Sequence, residues 1–325
     1  MGKKAQTKSR KTSGTIAVKD SIKTKLIALM AALVAVPLLI AIIVSYNSST
    51  GKAKEDALDL LSARASVVEA EFSEMVEKNT SMLEAIATSP IAIAYLETYG
   101  TEGQAVPDSA MMAQMDMLNE YMNDGNSSII LSKASGDQLL RADRKEITNI
   151  ADRDYFQQAV STGQPAVSDV VVSKSAGNRI TIICVPIYNE AHTQVIGTIQ
   201  RSFDLNVLHE FLASNISDGF IADKKGMMVA HAQFEITPED EYDLSGYEFM
   251  TSSDQSGLIT SSFDGNLTYM SWVKEPISGY YVAVSQQDKE IMAHAVYAAL
   301  TVVVIGVVLL VIGVIIEVYV ETSFT

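Results

Sequence analysis

Two stretches without a polar break stand out in the pattern of the chain. Leu26–Tyr46 and Ala295–Ile316 contain no charged residue. Each is long enough to cross a hydrocarbon core of about 30 Å at roughly 1.5 Å per residue, so each predicts a membrane-spanning helix. Pro37 inside the first is tolerated in such a helix. A cleaved signal peptide is the alternative for the first stretch. Its apolar core exceeds the roughly 7–15 residues of a signal peptide, and Val44-Ser45-Tyr46 is a poor cleavage site.

Between the two stretches the period changes twice. From Glu55 to about Ser89, Leu61, Ala65, Val68, Phe72, Met75, Asn79, Met82 and Ile86 recur at alternating spacings of four and three. That spacing predicts a long helix with a 3.5-residue stripe. The stripe fits a coiled-coil seam between two copies, with Asn79 fixing register. It fits equally a helix laid along its own domain, and one helix can do both along different parts of its length. After the polar break Gly100–Asp108, Met111–Met122 predicts a short helix whose methionines suit an adaptable core.

Period two takes over next. Ser128–Leu131 and Gln138–Arg141 read as strands around Ser135-Gly136-Asp137, and Val167–Ser173 and Ile180–Ile187 as a hairpin around Lys174–Asn178. Gln194–Phe203 is a strand leading into an amphipathic helix, Asp204–Leu212. The pattern then restarts with Gly219–Ala222, the turn Asp223–Gly226 and Met227–His231. A polar loop, Gln233–Leu244, precedes Gly246–Met250. Gly257–Phe263, Asn266–Val273 and Tyr280–Gln286 complete the series, with a strong hairpin signal at Asp264-Gly265. Trp272 is a core candidate. The pattern thus predicts an α+β chain: a long N-terminal helix followed by two antiparallel-sheet modules, flanked by two transmembrane helices.

Charge orients this plan. Residues 1–25 carry eight Lys or Arg against the single acid Asp20, a net of +7, which leaves −22 for the rest of a chain whose formal charge is −15. Residues 1–20 are too polar to pack and read as a disordered arm. Beside a membrane span, such an arm is a cytoplasmic topology signal and a contact for anionic lipid. Residues 47–294 are then extracytoplasmic. The single cysteine, Cys184, excludes a disulfide framework and sits in an apolar run as a structural thiol.

Catalytic and metal signatures are missing. His192, His209, His231 and His294 are scattered, and no nucleophile elbow, phosphate-binding loop or paired cysteine occurs. Pro238-Glu-Asp-Glu241 reads as a solvated loop rather than a calcium site. The expectation is a chain that is not an enzyme, with no cofactor, no metal and no nucleic-acid partner. What the pattern does offer is Asp152–Ile187, where Arg153, Tyr155 and Phe156 precede two β-branched runs. An arginine delivered with aromatics against a sheet makes a pocket for a small anion, since guanidinium holds a carboxylate through two parallel hydrogen bonds. Arg141 and Arg201 are further cations that could face it.

Two spans, a long leading helix and two successive sheet modules resemble the double Cache sensor domains of bacterial methyl-accepting chemotaxis receptors, which have PAS-like modules. Asp152-Arg-Asp-Tyr-Phe156 is similar to that family's Arg-x-(Trp/Tyr)-(Tyr/Phe) element, and Ile221-Ala-Asp-Lys-Lys-Gly226 with Val229-Ala-His231 to the opening of its second module. The resemblance implies extracytoplasmic sensing of a small molecule, chemoreceptor-type, in the membrane-distal module. It implies that Arg153 holds a ligand carboxylate with Tyr155 as a pocket wall, while Phe156 beside them in the element suits the core better. In the amino-acid-binding branch a tyrosine and an aspartate hold the amine. Here Val171 and Ser202 stand at those positions, with Asp204 two residues beyond. An organic acid therefore fits somewhat better than an amino acid.

The expected organisation is a cytoplasmic tail (1–25), a first span (26–46), the leading helix (47–109), a membrane-distal Cache module (110–215), a membrane-proximal one (216–290), a second span (295–316) and a short tail (317–325). Expected partners are a small organic acid or amino acid, the membrane, a second copy through the long helix, and a cytoplasmic signalling partner or a missing C-terminal output domain. The chemoreceptor relatives continue into a HAMP linker and signalling hairpin, so the sequence reads as stopping before them. The sensor portion of a histidine kinase or diguanylate cyclase, or a membrane-tethered ectodomain with an enzymatic or adhesive role, is the alternative.

Overall fold

A computed structural model describes residues 22–122, 128–174, 177, 179–237, 239–263 and 265–323. The basic arm 1–20 and Ser175, Ala176 and Asn178 of the expected hairpin turn lie outside these. In chain order the elements are α1 (Ile22–Ala87), α2 (Pro90–Thr98), α3 (Asp108–Tyr121), β1 (Ser128–Lys133), β2 (Gln138–Arg141), α4 (Asp154–Thr162), β3 (Ala166–Val167), β4 (Val171–Val172), β5 (Arg179–Tyr188) and β6 (Val195–Asp204). There follow α5 (Leu205–Asn215), β7 (Gly219–Ala222), β8 (Met228–His231), α6 (Glu248–Thr251), β9 (Ser256–Phe263), β10 (Asn266–Lys274), β11 (Tyr281–Gln287) and α7 (Asp288–Ser323). The chain divides into two compact units, one of residues 1–55 with 290–325 and the other Asp56–Lys289.

In the first unit α1 and α7 pack where a small residue lets them approach. A Cβ on Gly306 would lie 3.4 Å from Leu38 Cδ1 and 3.5 Å from Ile42 Cδ1. Most other large apolar side chains described here, among them Leu33, Leu39, Ile43, Val304 and Ile315, are exposed. Among the described residues no helix is long and apolar enough to cross a membrane. The expected spans 26–46 and 295–316 are only partly described: the side chains of Leu26, Ile27, Ala28, Met30, Ala31, Val34, Ala295, Ala298 and Ala299 lie outside.

The second unit holds the two sheets. The first runs β2-β1-β6-β5-β3 with β4 also on β5, and the second β8-β7-β11-β10-β9. All named pairings are antiparallel. Their opening hairpins are built alike. Gly136 and Gly226 both have φ +87°, and each carbonyl accepts from a returning segment, from Ile150 N at 2.9 Å and Leu244 N at 2.7 Å. A Cβ would sit 2.5 Å from Ala151 N in one and 2.7 Å from Ser245 N in the other. Backbone cannot yield to a side chain there, and left-handed geometry alone costs an L-residue roughly 1–2 kcal/mol. Gly136→Ala and Gly226→Ala should each lower the denaturation free energy by more than that.

The long stripe of α1 is covered within one chain: Leu61, Ala65, Val68, Phe72, Asn79 and Ile86 are buried. Val68, Phe72, Leu83 and Ile86 meet Leu131, Ile183 and Ile199 of the first sheet and Ile221, Val229 and Val282 of the second in one core. The reading of a helix laid along its own domain is thus realised for this stripe. Two polar clips fix it. Asn79 accepts a hydrogen bond from the buried Arg201 Nη1, and Ser73 Oγ donates to Glu275 Oε1 at 2.9 Å. Glu275 is fully buried, its carboxylate also held by Ile277 N at 2.9 Å and Ser278 N at 2.5 Å.

Three expectations are corrected. The expected leading helix 47–109 ends at Ala87 as part of one helix that begins at Ile22, and α2 follows it after a break at Ser89, whose side chain accepts from Ala92 N at 3.1 Å with Pro90 at the first turn. Gly246–Met250 contributes to the short helix α6. Val167–Ser173 is split into β3 and β4 because its middle is committed to the second module. Val170 N donates to Asp223 Oδ2 at 3.0 Å, Lys224 Nζ to Val167 O at 2.7 Å, and the Tyr280 hydroxyl to Ser168 O at 2.5 Å.

Candidate functional site

Strand alternation sorts β6 into two faces. Ile199 joins the core beneath α1, and Arg201 reaches Asn79. Gln200 and Ser202 face the other way, into a small cavity of about 40 Å³. Arg201 is thereby removed from the candidate pocket: it lies on the wrong side of the sheet.

Arg153 lines the cavity. It precedes α4 in extended conformation, and its Nη2 donates to Val172 O on β4 at 3.0 Å. One described hydrogen bond leaves a five-donor fork with capacity to spare. Tyr155 also lines the cavity and is buried. Burial raises its hydroxyl's pKa, Cys184 adding to the effect while Arg153 and the Gln200 side chain oppose it. The phenol therefore stays protonated and can donate. Phe156, one residue on, packs with Ala159, Ile182 and Cys184 in the core under α4 and does not line the cavity. Cys184 is fully buried, and burial pushes its thiol up to about 12.

Arg141 reaches the cavity but is already engaged. Its Nε and Nη2 hold Asp143 at 2.9 and 2.8 Å, and its Nη1 donates to Gln138 Oε1 at 3.3 Å. Burial works to raise the Asp143 carboxyl, but Arg141 and the Lys145 N–H outweigh it and hold it below the usual range. Val171 and Ser202 line the cavity as well. Asp204 stands opposite Ile180 at the end of β6, and its side chain lies outside the described residues. The sequence reading missed Gln138, Thr148, Lys174 and Gln200, which also line the cavity. Gln200 was findable, because it shares the strand alternation of Ser202.

The second module shows what the same architecture looks like when filled. The pairing Ile130↔Gln200 and Cys184↔Gln200 in the first sheet corresponds to Phe220↔Ala283 and Trp272↔Ala283 in the second. Phe220, Phe249, Trp272 and Tyr281 close that space as an aromatic core, with Phe249 and Tyr281 centroids 5.3 Å apart. Among the described residues no group of three or more His, Cys, Asp or Glu could hold a metal ion.

His231 is the counterpart of Arg141, opposite Phe220 as Arg141 is opposite Ile130. Burial lowers its pKa from 6.5, Asp218 opposing and His209 adding to the effect. A histidine held below its unfolded value contributes stability that is complete above about pH 6.5 and is lost as pH falls from there through the folded value. Denaturation midpoints measured from pH 8 to pH 5 should decline in the wild type. His231→Gln should flatten part of that decline.

The chain belongs to the Cache domain family, whose model matches residues 45–295. Among solved structures it is similar to the ligand-binding domain of the Pseudomonas fluorescens chemoreceptor CtaA, determined with L-isoleucine, at 13% identity over 75% of this chain and 98% of that one, with a TM-score of 0.56. The ligand-binding domain of the Campylobacter jejuni chemoreceptor Tlp3, with 4-methylisoleucine, gives 16% identity, 76% and 94% coverage and a TM-score of 0.58. The extracellular domain of a histidine kinase, rpHK1S-Z16, described as putative, gives 10% identity, 73% and 97% coverage and a TM-score of 0.60. At these identities the likeness establishes a shared fold. No curated protein matches the chain.

Proposed function

We propose that this chain is the sensor portion of a two-pass membrane receptor, chemoreceptor-type, which binds a small carboxylate in the first module through Arg153. The observation that carries the reading is the contrast between the modules: a cavity lined by Arg153, Arg141 and Gln200 in one, an aromatic plug at the corresponding strands of the other. Cache sensors bind ligands rather than transform them, which supports a non-enzymatic role. Supporting the membrane assignment are two charge-free segments inside helices with outward apolar side chains, and a chemoreceptor-like fold between them. Positive residues before the first span support an extracytoplasmic position for 47–294.

Ligand contact on one face of β6 is felt on the other, where Arg201 holds Asn79 of α1. A ligand that prefers one position of β6 would bias α1 and a cytoplasmic partner or output domain joined to it, provided its affinity differs between the two positions. Pairing of two copies through α1 would use its outward side, where Leu60 and Val67 are exposed seven residues apart. The likeness to a histidine-kinase ectodomain favours that output as the second reading.

The test is a thermal-shift screen of the full chain in detergent against organic acids and amino acids, the latter because the CtaA and Tlp3 domains carry them. A true ligand at a hundredfold excess over its dissociation constant should add about 2.7 kcal/mol of stability. No shift with any small carboxylate would overturn the reading.

A further inference from the structure

Gln200 is an oddity in its surroundings. It is 2% exposed, it lines the cavity, and among the described residues its Oε1 has no hydrogen-bond partner. The Tyr155 side chain lines the same cavity. Buried acceptors left unpaired are rare in folded proteins because desolvating them is unfavourable. At the corresponding strand position of the second module stands Ala283, covered by Trp272. The fold therefore does not require an amide there.

We propose that Gln200 is a specificity-determining residue whose Oε1 accepts a hydrogen bond from the ligand, so that the cavity selects small carboxylates carrying a hydroxyl or amino group close to the carboxylate. This rests on the carboxylate reading of Arg153 and adds a second point of recognition to it. Arg153 and Gln200 line the same small cavity, so a short ligand held by the first is offered to the second. A plain acid satisfies the guanidinium but leaves Oε1 unpaired. A hydroxy or amino acid satisfies both, and a site built to bond such a group discriminates strongly against the analogue lacking it.

The experiment is calorimetric titration of the full chain with matched pairs: glycolate and acetate, lactate and propionate, malate and succinate, with glycine, alanine and aspartate as amino counterparts. In the wild type the donor-bearing member of the binding set should be tighter by about tenfold or more. Gln200→Leu should bring the pair to within about twofold by weakening that member alone. Gln200→Asn, which withdraws the acceptor by one methylene, should act in the same direction and serves if the leucine variant does not fold. Equal affinity within pairs in the wild type, or a gap that survives both variants, would overturn the role of Gln200 while leaving the carboxylate reading intact. Absence of binding by every compound would overturn that reading itself, and this proposal with it.

Discussion

Phe249→Ala should destabilise the protein by about 3–5 kcal/mol, the range for deleting a buried aromatic side chain. Phe249 has no exposed surface. Its ring lies 6.1 Å from Phe220, 6.1 Å from Trp272, 5.3 Å from Tyr281 and 5.8 Å from Tyr247, centroid to centroid. Four aromatic neighbours cannot collapse onto an alanine without leaving their rotamers, so the cavity term persists. The loss also marks where stability is local. Phe249 belongs to a core confined to the second module, whereas the α1 core is shared by both sheets. Urea denaturation followed by Trp272 fluorescence should show the full effect, because Trp272 lies in the same cluster. A change below about 1 kcal/mol would mean the cluster repacks.

Asn79→Leu should cost about 1.5–3 kcal/mol, the range for a hydrogen bond to a charged group. Leucine matches the width of asparagine and suits the helix, so packing and propensity change little. What changes is that the buried Arg201 guanidinium loses an acceptor on α1. Asn79 lies on the opposite face of β6 from the cavity, so its replacement removes no group that lines it. A variant as stable as the wild type would contradict the clip.

How far these features were legible follows from particular residues. Gln138–Arg141 and Gly219–Ala222 match their strands end for end, because turn residues and a change of period bracket them. The α1 stripe was visible but not its partner, since a coiled-coil seam and a domain-facing helix ask for the same spacing. A lone asparagine in the stripe suits a register device if the stripe is a seam, whereas its partner in the structure is Arg201 of the same chain. That pairing joins positions far apart in sequence, and periodicity carries no trace of it. Parity would have separated Arg201 from Ser202 and joined Gln200 to Ser202, because neighbours on a strand point to opposite faces. The split of Val167–Ser173 could not be foreseen, for it depends on Asp223 and Tyr280 arriving from the second module.

The claim on which the account turns is that Arg153 holds a ligand carboxylate in the first module. Isothermal titration of the best-stabilising carboxylate into the wild-type chain and Arg153→Ala tests it most directly, with unliganded melting as the control for folding. The account predicts a dissociation constant weakened by about thirtyfold or more, the effect of about 2 kcal/mol or more when one partner of a buried charged pair is removed. Unchanged affinity in a folded Arg153→Ala variant would contradict it.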